Sequence, residues 1–545
     1  MDRRAFLTLT QQQTTFNRNG EASLSIPDFT ETPSLQPYED SLGRQDIYHL
    51  LRRTLVAPSR TDIEQSISMT LEELVDQLLD DSASLPGPPR FVSECLNASA
   101  LYWDSGRTEI IDTFFDELRR WWLLLMTNSR LSARERLTLF WHNHFSVNAR
   151  VVQDSRYIYL QNQLFRRHAL GNFKTLVADV TKDKAMLLFL DGKNNKANYR
   201  NENYARELQE LFTIGIADND GSPNYTQEDV VEAAKALTGW DWVGLGMQGD
   251  VASNLLTGHD LSDKVLYGEK ITGQNEGGPE LSRLLDIIFS KEETARYVIR
   301  KLYRFLVYTD TTLTPVRPIP AIVEENIIAP LAAEFRDSNW EITPVLKRLL
   351  MSRHFYDPAI RGAMIKSPVD LFVSLMRSTL VDPLTGDPGE FAGQYAQDRA
   401  TELGQNLFHP PGVQGWQFYR SWISSSTLPK RHFYTDELLY GVQVRIVDRL
   451  NLVFTGPINR DGTWKVDVLS FGKQFTSFDE PEEFVRDVAE HMLAFPASEQ
   501  LLDRLLAELV EGRAYEWPDL SDEIRTTRIQ KMLRYLMRST NFQLM

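Results

Sequence analysis

DKAMLLFLDGKNNKANYRNENYARELQELF, residues 183–212, reads as helix, polar loop, helix, and most of the remaining chain shows helical spacing without an internal repeat. Met186 to Leu190 form an apolar run, and Asp191-Gly192 suits a helix C-terminus followed by a turn. Lys193, Asn194, Asn195, Lys196, Asn198, Asn201, Glu202 and Asn203 follow. Burying such groups unpaired costs about 1–3 kcal/mol each, so they face solvent, bind a ligand or hold one another. From Asn201 helical spacing returns: Tyr204, Leu208, Leu211 and Phe212 share one stripe, while Glu202, Arg206 and Glu210 stand four apart on a neighbouring one. That second stripe reads plainly as an exposed ladder, worth about 0.2–0.5 kcal/mol per pair. Glu207 changes the reading, because it places a further carboxylate beside Asn203 and Arg206 and three residues before Glu210. A helix start capped by Asn201 or Asn203 also offers free N–H groups to an anion. The candidate acid–base residues are therefore Glu207 and Glu210, and the candidate substrate-holding residues are Asp191, Asn201, Asn203 and Arg206.

Outward toward the N-terminus, TEIIDTFFDELRRWWLLLMTNS, SARERLTLFWHNHFSV and RYIYLQNQLFRRHALGNF keep a period near 3.6 with charges off the apolar face, which indicates packed helices. His142 and His144 raise the question of a divalent metal. In a helix, residues two apart diverge, and no H-x-x-x-H spacing is present. Either they converge at a helix end with Glu207, Glu210 or His259 as ligands or catalytic acids, or they are hydrogen-bonded within a packed core. His259-Asp260 reads as a dyad or as a turn in which Asp260 caps the next segment. No G-x-S-x-G elbow or phosphate loop occurs.

Further helices follow over 279–356 and after Lys366-Ser367-Pro368. Trp416, in the Trp-, Gly- and Pro-dense segment ELGQNLFHPPGVQGWQFYRSWISSSTLPKRHF, either lines a surface that stacks on a ring-bearing ligand or anchors a rigid lid. Alternation over 440–478 and an Asp461-Gly462 turn predict a small β element, and terminal helices follow from Pro481. The expected class is mainly α: an extended N-terminal arm over 1–45, a multi-helix main domain over 46–440, and an appendage over 441–545 with a short hairpin and terminal helices. Thr70 and Glu73 form an expected capping box.

Composition narrows the function. The 545 residues carry 75 acidic against 59 basic side chains, a net charge of −16, which disfavours a nucleic-acid partner. No apolar run reaches the about 18–20 residues that span a bilayer. The single cysteine, Cys95, excludes an internal disulfide framework and reads as a small buried hydrophobe. Arg3-Arg4-Ala5-Phe6-Leu7 looks like the core of a twin-arginine signal, but TLTQQQTT after it supplies no apolar region. The default expectation is a cytoplasmic protein, with export by another route as the alternative.

Trp141-His142-Asn143-His144-Phe145, Gln161-Asn162, Ala169 to Phe173, Asp183 to Asp191, and Asn201 to Leu208 resemble, in order, the bacterial domain-of-unknown-function family numbered 1800. Thr238-Gly239-Trp240, His259-Asp260, Lys366-Ser367-Pro368, Gly404-Gln405 and Pro411 to Trp416 continue the match, which runs from about His49 to Gln543. The resemblance implies no settled activity. It implies members that are often exported, and a partner protein from a neighbouring uncharacterised family resembling sulfatases. The expectation from residues and resemblance together is a hydrolase of polar or anionic substrates at the Asn/Glu/Arg/His cluster. The alternative is a non-catalytic binding or assembly protein whose polar network is structural.

Overall fold

Apolar side chains recurring every three or four residues build most of the regular structure. The computed structural model describes residues 29–90, 108–242, 251–253, 258–309, 319–379, 381–417, 419–448 and 458–545. The chain is mainly α-helical, with three two-stranded antiparallel hairpins among the described residues. Cys95 and the twin-arginine segment lie outside them.

Residues 29–43 run extended along 351–357: Tyr38 N–H donates to the Met351 carbonyl at 2.8 Å, and Arg353 N–H to the Gln36 carbonyl at 2.9 Å. Helix α1 (Arg44–Thr54) follows, then α2 (Arg60–Ser66) and α3 (Leu71–Leu78). The Thr70–Glu73 box forms as expected: Thr70 Oγ1 accepts from Glu73 N–H at 3.2 Å and the Glu73 carboxylate accepts from Thr70 N–H at 2.8 Å.

The interior is a pile of aromatic rings between α4 (Thr108–Asn128), α5 (Arg134–His144) and α6 (Ser155–Arg167). Trp122 and Trp141 are fully buried there, and each indole N–H has an acceptor: Glu135 for Trp122 at 2.8 Å, the Ala169 carbonyl for Trp141 at 3.2 Å. Helices α7 (Phe173–Thr181) and α8 (Lys184–Phe189) lead to α9 (Asn203–Glu207), which widens into a π-helical turn over Leu208–Thr213, and then to α10 (Gln227–Ala236). Strands β1 (Trp240–Trp242) and β2 (Val251–Ser253) pair, as do β3 (Lys264–Leu266) and β4 (Glu269–Ile271). Beyond them α11 (Gly277–Ser290) and α12 (Glu292–Leu306) pack against the π turn.

Lys366-Ser367-Pro368 opens α13 (Pro368–Ser378) through a reciprocal Ser367–Asp370 box. Helix α14 (Gly386–Glu402) lies on α4 and α13. After α15 (Thr427–Tyr440), β5 (Val442–Asp448) and β6 (Ile458–Trp464) form the expected β element. Asp461-Gly462 is not its turn: both lie within β6, paired with Arg445 and Val444, and the connection lies outside the described residues. Gly462 is required because the Phe391 ring of α14 fills the space of a side chain there. Of the terminal helices α16 (Pro481–Met492), α17 (Glu499–Val510) and α18 (Asp522–Met537), the first packs against α1. There Tyr48 O–H donates to His491 Nδ1 at 3.1 Å and Arg52 donates to the His491 carbonyl at 2.8 Å. Among the described residues no helix is long and apolar enough to cross a membrane.

Candidate functional site

Helix α8 stops where its apolar run stops. Asp191, not Gly192, takes the left-handed conformation (φ 58°), while Gly192 admits the Leu187 side chain pressed against it. The Asp191 carboxylate receives the amides of Asn194 at 2.6 Å and Asn201 at 2.7 Å. Asn195 accepts from Asn201 N–H at 3.0 Å and donates to the Ala234 carbonyl at 2.9 Å, tying the loop to α10. Asn201 in turn accepts from Asn203 N–H at 2.9 Å. The N-cap position of α9 belongs to Glu202 rather than to Asn201 or Asn203, and Glu202 makes no side-chain cap bond. Arg206 donates to Glu202 at 3.0 Å and to Gln227 at 2.9 Å, and Gln227 donates back to Glu202 at 2.8 Å. Asp191, Asn201 and Asn203 thus share one network, and Arg206 anchors a second that joins α9 to α10.

The π turn then redirects the polar stripe. Its widened backbone places carbonyls away from helical N–H groups, and α12 collects them. Tyr297 O–H donates to the carbonyls of Glu210 at 3.3 Å and Leu211 at 3.0 Å, and Lys301 Nζ donates to that of Leu211 at 3.1 Å. The Tyr297 ring fills the space a side chain would need at Gly215 (φ 80°), which closes the turn. Glu210 does not extend the ladder from Arg206; its carboxylate accepts from Tyr225 O–H at 3.0 Å. Tyr267 O–H donates to Gln209 Oε1 at 2.7 Å. Tyr267 also lines an open groove with Thr226, Glu228, Asp229 and Glu232.

Glu207 stands at the junction of α-helix and π turn, half-buried. Loss of water and the Glu210 charge push its carboxyl up to about 7, against the pull of Arg206. Burial likewise raises Tyr225 and Tyr297, keeping both phenols protonated donors, and lowers Lys301 to about 7. A shift of this size does not mark a site by itself: Asp183 is also raised to about 7 by burial, yet its carboxylate accepts from Gln161 at 2.7 Å and caps α8 through Met186 N–H at 2.9 Å.

The two histidines end elsewhere. His142 lies among the rings of Trp122, Phe408 and Trp416, with centroids 5.1, 5.0 and 5.6 Å away, and its Nε2 accepts from Phe408 N–H at 3.3 Å. Burial lowers it to about 3. His144 donates from Nε2 to the Phe212 carbonyl at 3.0 Å, and its ring lies 4.4 Å from that of Phe145. Burial holds it well below the usual imidazole range. Both are neutral core imidazoles, and His144 meets the π turn through the Phe212 carbonyl and ring rather than through its carboxylates. Among the described residues no group of three or more His, Cys, Asp and Glu side chains is gathered so as to hold a metal ion.

Trp416 joins His142, not the polar loop: Asn143 accepts from Trp416 N–H at 2.7 Å and seats the indole in the core. His259 pairs with Glu280 at 3.1 Å, while Asp260 caps Ser262 N–H at 2.9 Å, so the adjacent pair is no dyad. Sequence reasoning missed Tyr225, Tyr297, Lys301 and Tyr267. Tyr297 and Lys301 stand four apart on one face of α12, but nothing in the sequence ties that face to residues 207–211.

The model of a family described as "Protein of unknown function (DUF1800)" matches residues 49–544. The chain belongs to this family. No curated protein and no solved structure matches it. The DUF1800 description carries no activity, so the chemistry of this member rests on the geometry above.

Proposed function

We propose that the protein is a hydrolase of polar substrates in which Glu207 transfers the proton. What carries this reading is the half-buried Glu207 carboxyl, pushed up to about 7 by lost hydration and by Glu210. A group titrating near neutrality both accepts and returns a proton at working pH, which contributes on the order of 10²–10⁴-fold to such reactions. Glu207 would take a proton from attacking water and return it to the leaving group. Glu210, fixed by Tyr225, supplies the negative charge that keeps Glu207 basic enough to do so. The Tyr297 and Lys301 bonds to the π-turn backbone hold the two carboxyls in place.

The chemistry favours a neutral, hydroxyl- or amide-bearing substrate over an anionic one. An anion would face two carboxylates, and the nearby Arg206 is engaged by Glu202 and Gln227. A second reading, a non-catalytic binding or assembly protein, is favoured by one observation: the polar groups of the Asp191 loop satisfy one another. Assays of wild type and Glu207→Gln against chromogenic glycosides, esters and amides separate the two. Hydrolysis lost in Glu207→Gln without any fall in melting temperature supports the enzyme. Hydrolysis of no class, or equal rates in both proteins, supports the second reading.

A further inference from the structure

A second place in the molecule gathers charge that the chain does not balance. Arg53, Arg136, Lys366 and Arg431 are all buried, and Asp370 is the carboxylate they share among the described residues. Arg136 forms an ion pair with Asp370, whose other oxygen accepts from Ser367 N–H at 3.1 Å. Arg53 donates to the Ile360 carbonyl at 2.7 Å, Arg431 to the Lys366 carbonyl at 2.9 Å, and the Lys366 ammonium lies 4.0 Å from the centre of the Phe542 ring. Carbonyls and a ring face attract these cations but do not neutralise them. Burial pushes Lys366 down to about 7 and Arg53 and Arg431 to about 9, each short of the charge balance expected of buried ions.

Against this cluster lies a cavity of about 30 Å³, lined by Arg136, Asn143, Ser367, Asp370, Trp416 and Trp422 among others. Two donors from its lining, Arg136 Nε–H and Trp416 Nε1–H, are buried with no acceptor among the described residues. Arg53 Nε and Nη1 and Arg431 Nε are in the same condition within the cluster. Leaving a buried donor without an acceptor costs about 1–3 kcal/mol, and more when it is charged, so the two donors in the cavity lining call for an occupant.

We infer that this cavity is a binding site for a small monovalent anion of about chloride's size, held by Arg136 and Trp416 in the field of the surrounding cations. Its volume admits such an ion, since a single water needs about 10–15 Å³ of the same space. Asp370 and Arg136 offset one another, so the net positive field on the ion comes from Arg53, Lys366 and Arg431. The ion would lock α5, α13 and the Trp416 segment together, and would stabilise the fold by ligand linkage.

The full-length protein, freed of halide, is melted in rising sodium chloride or sodium bromide against sodium gluconate at matched ionic strength, and crystals are soaked in bromide. The expected result is a saturable rise in melting temperature with halide but not gluconate, and an anomalous bromide peak between Arg136 and Trp416. Trp416→Phe, which keeps the ring and removes the donor, should weaken halide binding by about tenfold or more. Lys366→Met should weaken it through lost field. Equal melting curves in halide and gluconate, water alone in the cavity, or a halide effect unchanged in both variants would overturn the site. Should neither variant fold, the bromide peak in the wild-type crystal decides.

Discussion

His142 and Glu207 are driven by the same force to opposite ends. Both lose water on folding, and in both the neutral form is favoured: the imidazole falls to about 3 and the carboxyl rises to about 7. His142 is enclosed by rings, lands far from neutrality and becomes part of the core. Glu207 keeps one side toward solvent, has Glu210 beside it and lands where protons are exchanged at working pH. Burial therefore moves a base away from neutrality and an acid toward it.

The largest effect that would break this contrast lies on the histidine side. His142 resists protonation when folded and accepts it when unfolded, so its stabilising effect is complete above pH 6.5 and is lost as pH falls toward 3. Over that window the loss is on the order of 4 kcal/mol. His142→Gln should make the acid branch of stability shallower by one histidine's share, measured by chemical denaturation at pH 7 and pH 4, while His144, His409 and His491 keep theirs. An unchanged acid branch would show that His142 is protonated in the fold. Next in size, Glu207→Gln should reduce turnover of any substrate found by about 100-fold or more, since a proton-transferring side chain contributes at least that much.

The loop before the turn sharpens the comparison from a third side. Asp191→Ala removes the acceptor of two amides and leaves a β-carbon in a left-handed backbone, so it should lower stability by about 2 kcal/mol. Glu207 should titrate unchanged in that variant, because the loop network and the π turn are bonded separately. The smallest effect concerns Glu207 itself. Its raised folded value means that stability present below pH 4.5 is lost as pH rises through 7. Screening at a half-buried group reduces this to about 1–2 kcal/mol. Glu207→Gln should consequently melt above wild type at pH 8 and level with it at pH 4.

Much of the fold could be read from the sequence because it depends on local periodicity. The Leu- and Trp-rich stretches formed helices, and Thr70–Glu73 capped one of them with bonds that close within three residues. What could not be read depended on partners far along the chain. Gly462 looked like a turn residue because its reason, the Phe391 ring, stands on another helix. The Glu202–Arg206–Glu210 ladder was legible only as far as Arg206, since the π turn is fixed by Tyr297 and Lys301 on α12. His142 and His144 were visible as a pair, but their depth was decided by Phe408, Trp416 and Phe212. The same holds at the site: Asp191, Asn201 and Asn203 lie close in sequence, but their mutual hydrogen bonds could not be read from it.

The Glu207 carboxyl can be titrated directly by carbon NMR of glutamate-labelled protein, with its resonance assigned by difference from Glu207→Gln. A midpoint near pH 7, as the half-buried carboxylate pair requires, supports an acid–base centre at the π turn. A midpoint at the ordinary value of 4.5 would mean that water reaches Glu207 freely, and the proposed centre would fall.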